Sequence, residues 1–228
     1  MSTIADNVSQ VDERIRAAAL AAQRDPSTIG LLAVSKTKPA AALREAFAAG
    51  LRDFGENYLQ EALSKQLELA DLPLCWHFIG PIQSNKTRAI AEHFAWVHSV
   101  DRLKIAQRLS EQRPAELPPL NICIQVNVSG EASKSGCTPD DLPALAAAIS
   151  ALPRLTLRGL MAIPEPTEDS AEQNAAFATV RRLQDSLHLP LDTLSMGMSH
   201  DLEAAIAQGA TWVRIGTALF GARDYGQP

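Results

Sequence analysis

The chain has 228 residues, a formal net charge of -5, 46% hydrophobic residues and 21% charged residues. That length can close one large domain. The acidic balance argues against nucleic acid or an anionic membrane surface as a partner. No apolar run approaches the roughly 18 residues needed to span a bilayer. The opening MSTIADNVSQVDERI lacks a secretory signal's basic and apolar regions, so a cytoplasmic location is the expectation.

Residues 5–23 read as a helix, with Val8, Val11, Ile15 and Leu20 on one face and Asp25-Pro26 as its stop. A unit then repeats: a short apolar run, a polar or glycine-bearing loop, and an amphipathic helix. Expected strands are 30–35, 51–54, 75–79, 96–99, 120–128, 155–161, 192–195 and 211–215. Expected helices are 39–49, 58–70, 84–93, 101–112, 139–151, 168–187 and 199–208, with a short helical turn before Gly221. Asp101 and Thr138 are the expected N-caps of two of these helices, with Pro139 as a first helical residue. Several strands are continuous apolar runs, as expected when both faces are covered. Eight such units predict one α/β domain over 1–228, a (β/α)8 TIM barrel with an extra N-terminal helix. A doubly wound open sheet is the alternative. Against it, no GxGxxG follows the first strand, and the next helix opens with proline.

In a barrel the chemistry lies at the carboxyl ends of the strands. Reading that rim gives Lys36, Asn57, His77 just inside it, Ser84 to Lys86, Asn127, Lys134, Met161, Ser195 to His200 and Arg214 to Thr217. Lys36 follows LLAVS, where partial desolvation would lower its pKa and free its amine for Schiff-base chemistry; the plainer reading is a rim lysine reaching water. Gly197 permits a tight turn before Ser199, which either offers an anion site at a helix start or simply caps the helix. Gly216 and Thr217 repeat that chemistry after the last strand. Phosphate often binds between the loops after strands seven and eight of such barrels. Arg214 faces away from Val213 and Ile215, either into the barrel mouth or under the helices. An amine at strand one and a phosphate anchor at strands seven and eight fit a phosphorylated aldehyde such as pyridoxal 5'-phosphate, or a phosphorylated sugar.

The remaining chemistry-bearing residues read as structural. His77 in CWHFIG is more readily a hydrogen-bonded strand residue than a proton carrier. The five histidines show no metal-ligand spacing. Cys75 and Cys123 fall in apolar runs and read as core, whereas Cys137, in a polar loop, reads as an exposed thiol; no disulfide framework is implied. Lys86, Arg88, Arg102 and Lys104 read as solvated helix faces without interleaved aromatics.

Taken together, AVSKTKP at 33–39, FGENY at 54–58, HFIGPIQSNK at 77–86, SKSG at 133–136, RGLMAI at 158–163, LSMGMSHD at 194–201 and VRIGTALFG at 213–221 resemble the pyridoxal phosphate homeostasis protein family. The likeness runs from about residue 8 to residue 225. It implies the barrel of the alanine racemase N-terminal domain, with pyridoxal phosphate held as a Schiff base on Lys36. It also implies phosphate contacts from Ser199, Gly216 and Thr217, Arg214 facing the pyridine nitrogen, and Asn57 and Met196 in the pocket. The family is not credited with catalysis. The resemblance therefore implies a non-enzyme that buffers the cofactor, meets pyridoxal-phosphate-dependent apo-enzymes transiently and exists as a monomer. The alternative is a weak racemase-like enzyme acting on amino acids. Against it, alanine racemases draw a second catalytic base, a tyrosine, from a C-terminal β-domain, and Tyr58 and Tyr225 are not obvious replacements.

Overall fold

The computed structural model describes residues 2–130 and 135–222. Eight parallel strands close on themselves in sequence order: β1 (Gly30–Val34), β2 (Asp53–Glu56), β3 (Cys75–Phe78), β4 (Trp96–Val100), β5 (Leu120–Gln125), β6 (Leu155–Met161), β7 (Thr193–Ser195) and β8 (Trp212–Ile215). Closure comes from β1 pairing with β8, Gly30 opposite Trp212 through Ala33 opposite Ile215. That pairing excludes the open doubly wound sheet.

The outer layer is formed by α1 (Ile4–Ala21), α2 (Ala40–Ala48), α3 (Leu59–Glu68), α4 (Thr87–His93), α5 (Leu103–Gln112), α6 (Leu142–Ser150), α7 (Ser170–Ser186), α8 (Leu202–Ala207) and α9 (Thr217–Phe220). α1 is the extra helix, and its start is locked by a capping box. Thr3 Oγ1 accepts from the Asp6 N–H at 3.1 Å, and Asp6 Oδ2 accepts from the Thr3 N–H at 2.9 Å. Its buried residues are Val8, Val11, Ile15 and Ala19. Leu20, expected on that face, is instead exposed, because one residue is about 100° of helical rotation and moves it off the 8–11–15–19 stripe.

Two cores result. The larger lies between sheet and helices and is largely aliphatic with a few phenylalanines, with Ala33, Phe54, Val97, Leu160, Val213 and Ile215 facing outward to meet it. The smaller lies inside the barrel, where Trp96, Cys123 and Met161 pack around buried polar side chains. Period-two alternation along each strand sorts residues between the two.

Several boundaries differ from the sequence reading. The second strand starts at Asp53, not 51, and the fifth ends at Gln125; Val126 continues only as a bridge to Cys137. That bridge buries Cys137, so the expected exposed thiol is wrong. Asp101 does not cap α5, which begins after Arg102 with no side-chain cap; Asp101 pairs with Arg102 instead. Thr138 Oγ1 accepts from the Asp141 N–H at 3.1 Å, but the residues from Pro139 to Asp141 form a turn and the helix begins at Leu142. α8 likewise starts at Leu202 after a turn at 199–201, so Ser199 is not at its first residue. Residues 84–86 form a 3-10 turn ahead of α4. Lys134 and Tyr225 lie outside the described residues.

Candidate functional site

The rim at the carboxyl ends of the strands is built outward from β1. Val34 ends the strand, and Ser35 and Lys36 follow in a turn, with Thr37 at a positive φ of 65°. Ser35 points outward, away from the barrel interior, into a buried ionic knot. Lys65 Nζ on α3 donates to the Ser35 carbonyl at 2.7 Å, to Glu56 Oε1 at 2.7 Å and to Glu61 Oε1 at 2.6 Å, while the Ser35 hydroxyl donates to Glu56 Oε1 at 2.6 Å. The Thr37 N–H donates to Glu61 at 2.5 Å. The backbone on both sides of Lys36 is thereby pinned, so a half-buried lysine stands on a fixed turn. Burial raises the Glu56 carboxyl above its ordinary range, and Lys65 and the Ser35 hydroxyl oppose that rise. Lys38 reaches away from this turn, its Nζ donating to the Ala222 carbonyl at 2.8 Å.

Beside Lys36 lies the turn after β8. A Cβ placed on Gly216 would meet the Val34 carbonyl at 3.3 Å, so the glycine marks close approach of the two strand ends. Thr217, the first residue of α9, is exposed. The turn after β7 contains Gly197 at φ +97°, whose Cβ would fall 2.5 Å from that of Ala205. That turn presents Ser199, half-buried, with its carbonyl accepting from Arg14 Nη2 of α1 at 3.0 Å. The Asp201 carboxylate accepts from the Met198 N–H at 2.6 Å and closes the turn. Met196 is fully buried in the outer apolar core, so it supports this turn from beneath. Asn57, just past β2, carries a buried Oδ1 with no hydrogen-bond partner among the described residues, and its backbone packs on Gly80 so tightly that a Cβ there would lie 2.4 Å from the Asn57 carbonyl.

Arg214 decides the question left open by its strand position. It points into the barrel interior, with only 4% of its surface exposed. Its Nη1 donates to Ser195 Oγ at 2.9 Å and its Nη2 to the Ala162 carbonyl at 3.1 Å. Burial pushes its pKa down to about 10, with Asp201 pulling it back up, so the guanidinium stays charged at neutral pH.

Below Arg214 the interior is polar. Ser195 Oγ lies 2.7 Å from His98 Nδ1, His98 Nε2 lies 2.9 Å from His77 Nδ1, and His77 Nε2 lies 2.9 Å from Asp53 Oδ1 at the opposite end of the barrel. His77 stacks on Trp96, with ring centroids 5.5 Å apart, and meets the edge of Trp212. Burial lowers the pKa of both imidazoles, Asp53 opposing at His77, and His77 and Arg214 reinforcing at His98. Donor atoms of Asp53, Cys75 and His77 lie within 4.8 Å of one another. Burial pushes the Cys75 thiol up to about 12, and the His77 ring nitrogen is engaged with Asp53, so the trio reads as a hydrogen-bonded group with a protonated thiol and not as a thiolate metal site.

The rim thus gathers Lys36, Arg214, Gly216, Thr217, Ser199 and Asn57, with Met196 beneath. Sequence reasoning missed Asp53, His98, Glu56 and Lys65. Two signals were available: His98 is two residues from Trp96 on one strand, and Glu61 and Lys65 have the i, i+4 spacing of a helical ion pair.

The sequence pattern of the alanine racemase N-terminal domain matches residues 2–224. The chain is 80% identical over 228 residues to the pyridoxal phosphate homeostasis protein of Pseudomonas aeruginosa, covering 100% of this chain and 99% of that protein. It is 55% identical to the protein of the same name from Escherichia coli, covering 99% of each. Among solved structures it is similar to PipY of Synechococcus elongatus with pyridoxal phosphate bound (TM-score 0.84, 44% identity, 96% of this chain and 100% of that one). Alanine racemase from Corynebacterium glutamicum shares the fold (TM-score 0.68, 18% identity), matching 99% of this chain but 62% of the racemase.

Proposed function

The chain belongs to the alanine racemase N-terminal domain family and, within it, to the pyridoxal phosphate homeostasis proteins, and from that premise we propose that it binds pyridoxal 5'-phosphate and serves the intracellular homeostasis of that cofactor. The observation that carries this reading is the junction of β1 and β8. The strand that delivers Lys36 runs beside the strand that delivers Arg214 and the Gly216–Thr217 turn. An amine, a buried cation and an anion-binding turn then bracket one small ligand. The buried, unpartnered Asn57 Oδ1 is a further fit, since a bound ligand would satisfy it.

When bound, pyridoxal phosphate supplies an aldehyde that condenses reversibly with a primary amine, and we assign that amine to Lys36. The pinned turn fixes the backbone from which the half-buried Lys36 projects. Ser199, Gly216 and Thr217 offer hydroxyls and backbone N–H groups to the phosphate. With the ring nitrogen toward it, Arg214 would set a charged guanidinium there and disfavour a second positive charge, which would weaken the ring as an electron sink. This arginine, and the relatives' description as homeostasis proteins, support a carrier without catalysis of its own. The carrier acts as a monomer that meets pyridoxal-phosphate-dependent apo-enzymes only transiently.

Borohydride reduction of the loaded protein followed by peptide mass spectrometry tests the tether. Label on Lys36, lost in Lys36→Ala, is the expected result; label on Lys38 or Lys134 refutes the assignment. Sustained turnover of single amino acids by the loaded protein would favour the racemase-like alternative.

A further inference from the structure

Each hydrogen in the polar column inside the barrel has only one consistent place. Arginine only donates, so Arg214 Nη1–H points at Ser195 Oγ. Among the described residues the Ser195 hydroxyl then has one remaining acceptor within reach, His98 Nδ1. A neutral imidazole that accepts at Nδ1 carries its proton on Nε2, and that proton faces His77 Nδ1. By the same rule His77 holds its proton on Nε2 and donates it to Asp53 Oδ1. The chain therefore runs in one direction, from a cation on β8 through β7, β4 and β3 to a carboxylate on β2. The direction suits both ends, because donors point away from the cation and toward the carboxylate. Reversing it at His98 would leave the Ser195 proton without an acceptor, a costly arrangement where Ser195 and both imidazoles have no exposed surface.

We propose that His98, His77 and Asp53 are positioning residues that act through Ser195: they hold the ring-facing guanidinium of Arg214 in place and keep a second positive charge from forming beneath it. The part of this inference that concerns the ring rests on the reading of the site as a pyridoxal phosphate site; the hydrogen-bond direction does not. The charged groups facing the two imidazoles are Asp53 from one end and Arg214 from the other. Depression of both imidazole pKa values by burial agrees with a column that stays neutral through physiological pH. Trp96 stacks on His77 and Trp212 meets it edge-on, so two indoles wall the imidazole in.

Two measurements test this, one without cofactor and one with it. In the first, the cofactor-free protein is labelled with 15N-histidine and followed by NMR from pH 5 to 9. Two of the five histidines are expected to show the neutral Nε2–H tautomer and no titration, and Asp53→Asn should shift the resonances of both. A charged or Nδ1–H form of His98, or an Asp53→Asn spectrum that leaves His98 unmoved, overturns the column. In the second, the absorbance of the loaded protein is titrated with acid and base. Ser195→Ala should displace the midpoint by about one pH unit, the size expected for loss of a hydrogen bond to a charged group. Ser195→Thr, which keeps the hydroxyl, should restore it, and Asp53→Asn should move it in the same direction by a smaller amount. An unmoved midpoint in Ser195→Ala refutes the influence on the ring. Failure of the protein to bind pyridoxal phosphate would refute the proposed function and, with it, the ring's part of this inference, while the NMR result still decides the column.

Discussion

Replacing Lys65 with methionine is the most severe test of the site's foundation. Lys65 is 6% exposed at its side chain and Glu56 is fully buried, so the substitution leaves a carboxylate in the protein with its cation gone. Glu56 Oε2 already lacks a partner among the described residues, and the lost Nζ also held Oε1. Removing one member of a buried pair costs about 3–5 kcal/mol. For a chain of this length about 4 kcal/mol corresponds to a fall of roughly 10 °C in Tm. The loss should depend on pH, and the sign follows from Glu56. Its folded pKa already lies above the unfolded value, so its proton stabilises the fold below the unfolded pKa, and that stability disappears as pH rises through the folded pKa. Removing the opposing Lys65 raises the folded pKa further and widens the window. Lys65→Met should therefore recover stability between pH 7 and pH 5 relative to wild type, and Glu56→Gln added to it should recover much of the rest at pH 7. Urea unfolding at the two pH values is the assay. A pH-independent loss below about 1 kcal/mol would mean that the ionic knot does not hold the Lys36 turn.

Gly197→Ala should cost about 2–4 kcal/mol and weaken cofactor retention, because the backbone is left-handed and the new methyl overlaps Ala205; calorimetry and equilibrium dialysis measure the two effects. Burial pushes Cys75 and Cys123 up to about 12 and Cys137 to about 11, so in the folded protein all three thiols should resist a disulfide reagent at pH 8 that labels them within minutes in denaturant. Asp192, held below its ordinary range by Arg158, contributes stability that is present above the unfolded carboxylate pKa and lost as pH falls through the lowered one. Since Asp192 is mostly exposed, Arg158→Met should cost less than about 1 kcal/mol through this pair at pH 7, and that part should fade toward pH 3 in acid unfolding. Arg14→Ala should leave Tm nearly unchanged yet speed release of pyridoxal phosphate about threefold, read by stopped-flow absorbance; the exposed pair with Glu203 adds little, but the bond to the Ser199 carbonyl braces the turn.

The barrel was legible because its cause is local. Continuous apolar runs such as LNICIQV announce strands covered on both faces, and turn residues such as Gly50 and Gly209, both at positive φ, punctuate the units. The rim followed from the same period: once β1 and β8 are placed, Lys36 and Gly216 must emerge together. Where the reading failed, tertiary contacts overrode local signals. Cys137 sits in a polar stretch, yet its backbone bonds to Gln125 and Asn127 draw it against Val126 and bury it. Asp101 has the chemistry of a cap, but Arg102 claims its carboxylate. The interior column was invisible for a different reason. Its members come from five strands, Asp53 and Ser195 being 142 positions apart, and no short window of sequence holds even one of its links.

The additional helix ahead of the barrel braces the rim. The turns after β7 and β8 are short, and α8 and α9 have six and four residues, too few to be stable on their own packing. α1 lies across both. Asn7 Nδ2 donates to the Leu219 carbonyl of α9 at 2.8 Å, Arg14 reaches Ser199 and Glu203, and Arg24 just beyond the helix donates to the Ile206 carbonyl of α8 at 2.8 Å. An α1 fixed by its capping box and its Val8–Ile15 stripe thus serves as the outer wall for the two turns that β7 and β8 deliver. The ionic knot around Lys65 does the same for the turn after β1, from the other side. The rim is held from outside by these two braces and from inside by the bonds to Arg214. Each brace joins segments far apart in the chain, so the arrangement around Lys36 exists only once the barrel has closed.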